Sequence, residues 1–160
     1  MLNLFKKKDE KLCLYSPVKG ELVSIESVND PVFAGKMMGE GVGVVPTDTM
    51  ICAPADGTIS LISDTKHAFG MMLNNDEEIL VHIGIDTVNL AGKGFEVLVN
   101  VNDKVKKGTP IIKADFDYLK SQGIDTTTML IFLNHANYNN IQTYKAKEAD
   151  TNTIALEYTK

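Results

Sequence analysis

The feature that most constrains this chain is its punctuation. Runs of five to seven residues rich in Val, Ile, Leu and Thr are broken at short intervals by Pro, Gly, Asn and Asp. Side chains branched at Cβ pack well on a pleated surface, and the interrupting residues are those that turns require. The runs are 21–25, 41–45, 58–63, 79–83, 95–101, 109–113 and 128–133. Turn signals fall at Pro17-Val-Lys-Gly20, Pro54-Ala-Asp-Gly57, Asn74-Asn75 and Lys107-Gly108. One helix is expected over 116–122, with Asp115 as N-cap and Gly123 just past its end. The expected fold is all-β: an antiparallel β-sandwich or barrel with at most one or two short helices.

An internal echo refines this. Ser16-Pro-Val-Lys-Gly-Glu-Leu-Val-Ser-Ile25 aligns with Ala53-Pro-Ala-Asp-Gly-Thr-Ile-Ser-Leu-Ile62, with Pro, Gly and the last Ile in register. Each copy reads as a tight turn feeding a strand. Two copies are too few for a solenoid and fit one domain of two similar halves. The 160 residues suit a single domain that needs neither metal nor disulfide to hold its core. No linker-like segment divides them. The expected organisation is a flexible N-terminal arm, residues 1–11, followed by one domain, 12–160.

Charge narrows the function classes. The net charge is −5, and all 16 basic residues are Lys. An acidic surface without guanidinium groups is a poor match for nucleic acid. It also means that this chain cannot clamp a phosphate bidentately with its own side chains. No apolar run approaches the ~20 residues of a membrane span. Met1-Leu-Asn-Leu-Phe5 precedes Lys6-Lys-Lys8, the reverse of a secretory signal. Cys13 and Cys52 lie far apart in apolar surroundings and read as small buried hydrophobes. The expected location is the cytoplasm.

Two of the three histidines carry the chemistry. His67 and His82 flank Asn74-Asn75. A two-residue turn pairs positions whose numbers sum to 149, and His67 and His82 sum to 149. The rings would then face each other across an antiparallel pair, with Cβ atoms ~5 Å apart. A four-residue turn leaves them diagonal on one face, whereas an odd loop puts them on opposite faces. A neutral imidazole pair suits part of a zinc site. It equally suits nucleophilic catalysis, with one ring attacking and the other hydrogen-bonding the arriving group. Thr65 lies two residues before His67 and is placed to orient it. Gly84, two after His82, is expected to open access to that ring.

These segments resemble the glucose-class enzyme IIA of the bacterial phosphoenolpyruvate-dependent sugar phosphotransferase system. The matching stretches are Pro17-x-x-Gly20, Asn29-Asp-Pro-Val-Phe-Ala-Gly-Lys-Met-Met-Gly-Glu-Gly41, Ala53-Pro-Ala-Asp-Gly57, Thr65-Lys-His-Ala-Phe69 and Ile79-Leu-Val-His-Ile-Gly-Ile-Asp-Thr-Val88. Gly92-x-Gly-Phe95 and Val105-Lys-Lys-Gly108 follow. The resemblance implies a β-sandwich phosphocarrier and a phosphohistidine intermediate. His82 matches the phospho-acceptor, His67 the histidine that hydrogen-bonds the phosphoryl group, and Thr65 the residue that orients His67. Asp30 and Asp86 match acidic residues beside the site. Val32, Phe33, Met37 and Met38 match its apolar rim. The implied partners are the histidine-containing phosphocarrier protein and the IIB domain of a sugar permease. Regulated permeases or metabolic enzymes would be further partners. No cofactor is required, though zinc on His67 and His82 could be shared with a partner's carboxylate. Two departures stand out. Ser63 replaces a rim aromatic, and Ile131-Phe-Leu-Asn-His-Ala-Asn137 leaves His135 without a family role, as a surface residue near a turn.

Other readings fare worse on the same residues. A zinc metallopeptidase-like domain needs a His-x-His pair, and Ile83-Gly84 follow His82 instead. A biotin or lipoate carrier needs a Lys at a hairpin tip, which Lys36 before Met37 and Met38 matches only in part. Gly39-Glu-Gly-Val-Gly43 leads into strand-like residues, so the helix end of a nucleotide site is missing. A non-catalytic regulatory binding protein remains compatible with the phosphocarrier reading, because one surface can serve both roles.

Overall fold

The computed structural model describes residues 11–133 and 135–159. Fourteen strands run through these residues, and every pairing between them is antiparallel. The first half holds β1 (Lys11–Tyr15), β2 (Gly20–Ser24), β3 (Glu40–Pro46), β4 (Met50–Cys52), β5 (Gly57–Ile62), β6 (Ala68–Leu73) and β7 (Glu78–Ile83). The second holds β8 (Phe95–Val97), β9 (Lys104–Val105), β10 (Pro110–Ala114), β11 (Thr128–Phe132), β12 (Asn139–Thr143), β13 (Ala146–Ala149) and β14 (Ile154–Thr159). An eight-stranded sheet has the order β13-β2-β3-β11-β7-β6-β5-β9. Two three-stranded sheets, β1-β14-β12 and β4-β10-β8, complete the β-fold.

The two halves are visible in the hydrogen bonds. Tyr15 N donates to Pro54 O at 2.9 Å, and Cys52 N donates to Pro17 O at 2.6 Å. The two echoed Pro turns therefore hold each other reciprocally, as a two-fold axis demands. Ser16 N to Thr153 O and Ala53 N to Thr109 O, both 2.9 Å, repeat the relation one residue on. The order β13-β2-β3-β11 on one side of the large sheet mirrors β9-β5-β6-β7 on the other.

The main core lies between the sheets. Leu14, Val44, Ile59, Phe69, Val81 and Leu130 are fully buried there. Each such side chain removed from water contributes ~1.5–3 kcal/mol. A second, smaller core sits on the opposite face of the large sheet. Met129 and Ile131 of β11 project into it and are covered by Ile25, Val28 and Phe33. Consequently β11 is buried on both faces. The covering segment contains α1 (Pro31–Ala34), which Asp30 caps by accepting from Val32 N at 2.9 Å, with Pro31 in the first turn. The expected helix is α2 (Phe116–Ser121). Asp115 caps it by accepting from Tyr118 N, and Gly123 follows at φ +74°.

The hairpin joining β6 and β7 differs from the expectation. Ala68 pairs with His82 and Met72 with Glu78, and Leu73 N donates to Glu77 O. The loop is therefore Asn74-Asn75-Asp76, an odd length, and Asp76 takes the left-handed conformation at φ +67°. A turn followed by one left-handed residue is a standard three-residue closure. The sequence suggested a turn of two or four residues at Asn74-Asn75, and the loop instead has three, with the left-handed residue last. The arm assigned to 1–11 lies outside the described residues except for Lys11, which pairs with Thr159 in β1.

Candidate active site

In a regular ladder of this register His67 would fall opposite Ile83, on the far face from His82. The structure nevertheless brings the two rings together, with centroids 4.8 Å apart at 73°. The reason lies at the strand end. His67 precedes β6, in a bend where Lys66 has φ +63°. Ile83 N still donates to His67 O at 2.7 Å. The backbone stays tied to β7 while the imidazole turns to His82's face. Ser63 helps close this bend by accepting from Ala68 N through its hydroxyl.

His82 is half-buried on β7, opposite Met129 and on the face of the small core. Phe33 lies against it, ring centroids 5.0 Å apart. Its Nδ1 is 2.9 Å from the carbonyl oxygen of Gly84. A carbonyl only accepts, so Nδ1 carries the proton and Nε2 is left with its lone pair. Burial pushes the His82 pKa down to about 4, and the neighbouring His67 imidazole works in the same direction. The Gly84 carbonyl, Asp30 and Asp86 pull the other way and do not overcome burial. His82 is thus neutral at ordinary pH. His67 is buried, and its pKa is also lowered by desolvation. Thr65 holds this ring: its Oγ1 lies 2.6 Å from His67 Nδ1, and a hydrogen bond to its backbone carbonyl partly offsets the desolvation.

Gly84 does not serve the purpose expected of it. It is itself buried, at φ +76°, and Thr87 occupies the space its side chain would need. Its contribution is the carbonyl turned back onto His82. The signal was available in the spacing: a Gly two residues after a strand histidine permits a backbone reversal that other residues resist.

Of the remaining predicted residues, Phe33 touches His82, and Asp30 and Asp86 lie close enough to act on its charge. Val32, Met37 and Met38 are exposed, Met37 at 76%. Phe33 is 6% exposed and lies beneath the rim, against His82. Its ring is the hydrophobic cover of the small core. Asp86 is exposed and left-handed at φ 58°. Val88, 54% exposed, joins the apolar exposure and was not singled out from sequence. Lys36 ties the loop down by 3.2 Å ion pairs to Glu26 and Glu40. His135 is half-buried in a 3-10 turn, and its Nδ1 is buried with no partner among the described residues, which corrects the surface placement. Among the described residues no group of three His, Cys, Asp or Glu is placed to hold a metal. The histidine pair offers at most two nitrogen ligands.

The family model for the phosphoenolpyruvate-dependent sugar phosphotransferase system, EIIA 1, matches residues 12–138. The chain belongs to this family. Glucose-specific EIIA components of the phosphotransferase system from two Staphylococcus epidermidis strains are each 45% identical to it over 129 residues. That alignment covers 81% of this chain and 78% of theirs. The glucose permease IIA from Mycoplasma capricolum superposes with a TM-score of 0.84 at 28% identity, over 93% of this chain and 96% of that one. This EIIA is therefore a phosphotransferase component of sugar transport that carries phosphoryl groups on histidine. No helix among the described residues is long and apolar enough to cross a membrane.

Proposed function

We propose that His82 is the phosphoryl-carrying residue and that Nε2 is the attacking atom. The observation that carries this is the 2.9 Å contact of Nδ1 with the Gly84 carbonyl, which leaves Nε2 unprotonated beside a second imidazole. The Nε2 lone pair forms a bond to phosphorus as the P–N bond of a donor phosphohistidine breaks. The donor imidazole departs with the electron pair. In the second step a thiolate of the acceptor attacks the same phosphorus, and His82 leaves as neutral imidazole. His67 hydrogen-bonds a phosphoryl oxygen, and Thr65 orients its ring through the 2.6 Å contact of Oγ1 with Nδ1. No cofactor takes part.

The partners are the histidine-containing phosphocarrier protein as donor and a permease IIB domain as acceptor, in the cytoplasm. The names of the relatives point to a glucose permease. Val32, Met37 and Met38 offer a flexible apolar rim, and Asp30 and Asp86 an acidic edge. This chain has no Arg, so the partners supply the guanidinium groups that meet the phosphoryl charge. Rates of association should accordingly fall as salt is raised.

The test is intact mass after incubation with phosphoenolpyruvate, enzyme I and the phosphocarrier. One acid-labile phosphoryl group is expected on the wild type and on His67→Ala, and none on His82→Ala. An unlabelled wild type beside a labelled control relative would sink the assignment.

A further inference from the structure

We propose that Thr87 is a positioning residue for phosphoryl transfer, acting on His82 through the Ile83–Gly84 peptide. The proposal rests on His82 being the nucleophile. Thr87 is completely buried, and its hydroxyl donates to Ile83 O at 2.7 Å. The same peptide unit donates from Gly84 N to Thr127 O at 3.1 Å. Both ends of this peptide are therefore held. The next unit presents Gly84 O to His82 Nδ1 and donates from Ile85 N to Asp125 O at 2.9 Å. Gly84 is the joint between two clamped planes, and its φ of +76° follows from how they are held. A Cβ at Gly84 would lie 2.5 Å from the Thr87 methyl, so this side chain also packs against the joint.

Of these clamps, Thr87 alone acts through a side chain; the Gly84 and Ile85 amides are held by backbone carbonyls. Removing its hydroxyl frees the first plane to rotate, and the carbonyl on the second then drifts from Nδ1. Without that acceptor the His82 proton redistributes between the two ring nitrogens. Any proton on Nε2 occupies the lone pair needed for attack. Supporting contacts that fix the tautomer of a working histidine have this effect at metal sites, and the logic is the same for a nucleophile.

The experiment compares Thr87→Val and Thr87→Ala, which lose the hydroxyl, with Thr87→Ser, which keeps it. One readout is the His82 tautomer by nitrogen-15 NMR on the unphosphorylated full chain. The other is the rate of phosphoryl uptake from the phosphorylated histidine phosphocarrier. Val and Ala are expected to give a tautomer mixture and about tenfold slower uptake, with Ser within about twofold of wild type. Wild-type tautomer and rate in Thr87→Val would overturn the proposal, as would equal losses in Thr87→Ser. If the Val variant does not fold, Ala against Ser decides the question. The tautomer readout does not depend on the reaction, so a label found away from His82 would refute the nucleophile assignment separately.

Discussion

His82 owes its weak proton affinity to its surroundings, and this can be measured. A histidine titration by NMR should place its midpoint near pH 4 and that of His67 below the ordinary 6.5. The unfolded chain binds the His82 proton near pH 6.5, and the folded chain only near 4. Between those values the unfolded state holds more protons, so acid favours unfolding. The contribution is fully present above pH 6.5 and is lost as pH falls toward 4, amounting to about 3 kcal/mol. His67 adds in the same direction. Urea melts at pH 7 and pH 4 on wild type and His82→Gln check this; the variant should lose less stability on acidification. Thr65→Val should slow phosphoryl transfer about 10²-fold, the scale of losing one well-placed donor, without changing the thermal midpoint of unfolding. Stopped-flow transfer kinetics read the first effect and thermal melts the second.

The segment bearing α1 links stability to chemistry. Phe33 covers Met129 and Ile131 while its ring rests on His82. Phe33→Ala should cost about 3 kcal/mol. It should also raise the His82 midpoint, because desolvation is the main cause of the depression. A midpoint unmoved in a folded variant would show that Phe33 is not what shields the ring. Lys36→Ala should cost below about 1 kcal/mol, since Lys36 and Glu26 are exposed and Glu40 is still open to solvent. At this scale the sequence was uneven as a guide. Runs of branched apolar residues between turn signals located β3, β5, β7, β10 and β11 closely, and the cap of α2 was readable from Asp115. The four-residue α1 left no period to detect, and the run 95–101 proved to be the shorter β8. The hairpin loop was legible as a turn but not in its length.

The whole molecule folds around one continuous sheet that crosses both halves. Gly20 and Gly57 occupy matching places in the two echoed turns, and each is needed because a neighbouring strand passes close by. A Cβ at Gly20 would lie 2.1 Å from Val45 O, and one at Gly57 2.6 Å from Met72 O. Gly20→Ala and Gly57→Ala should each cost more than about 2 kcal/mol and lower the same transition. Calorimetry should show one peak, with calorimetric and van't Hoff enthalpies equal, in wild type and both variants. A second peak in either variant would mean that the halves melt independently.

The sequence by itself determined the class of fold, displayed the echo between halves and singled out His67 and His82, because each is written in patterns over short stretches of chain. Strand period, turn chemistry and the Thr65–His67 spacing are local in this sense. The tertiary structure decided how the histidines meet. Their encounter depends on an odd loop closed by a left-handed Asp76 and on a bend at Lys66 that turns His67 out of its ladder face. It decided the use of Gly84 as well, since the Gly84 carbonyl points at His82 only with Thr87, Thr127 and Asp125 holding the backbone from three directions. Such arrangements depend on which distant segment fills a given space, and no local pattern in the chain encodes that.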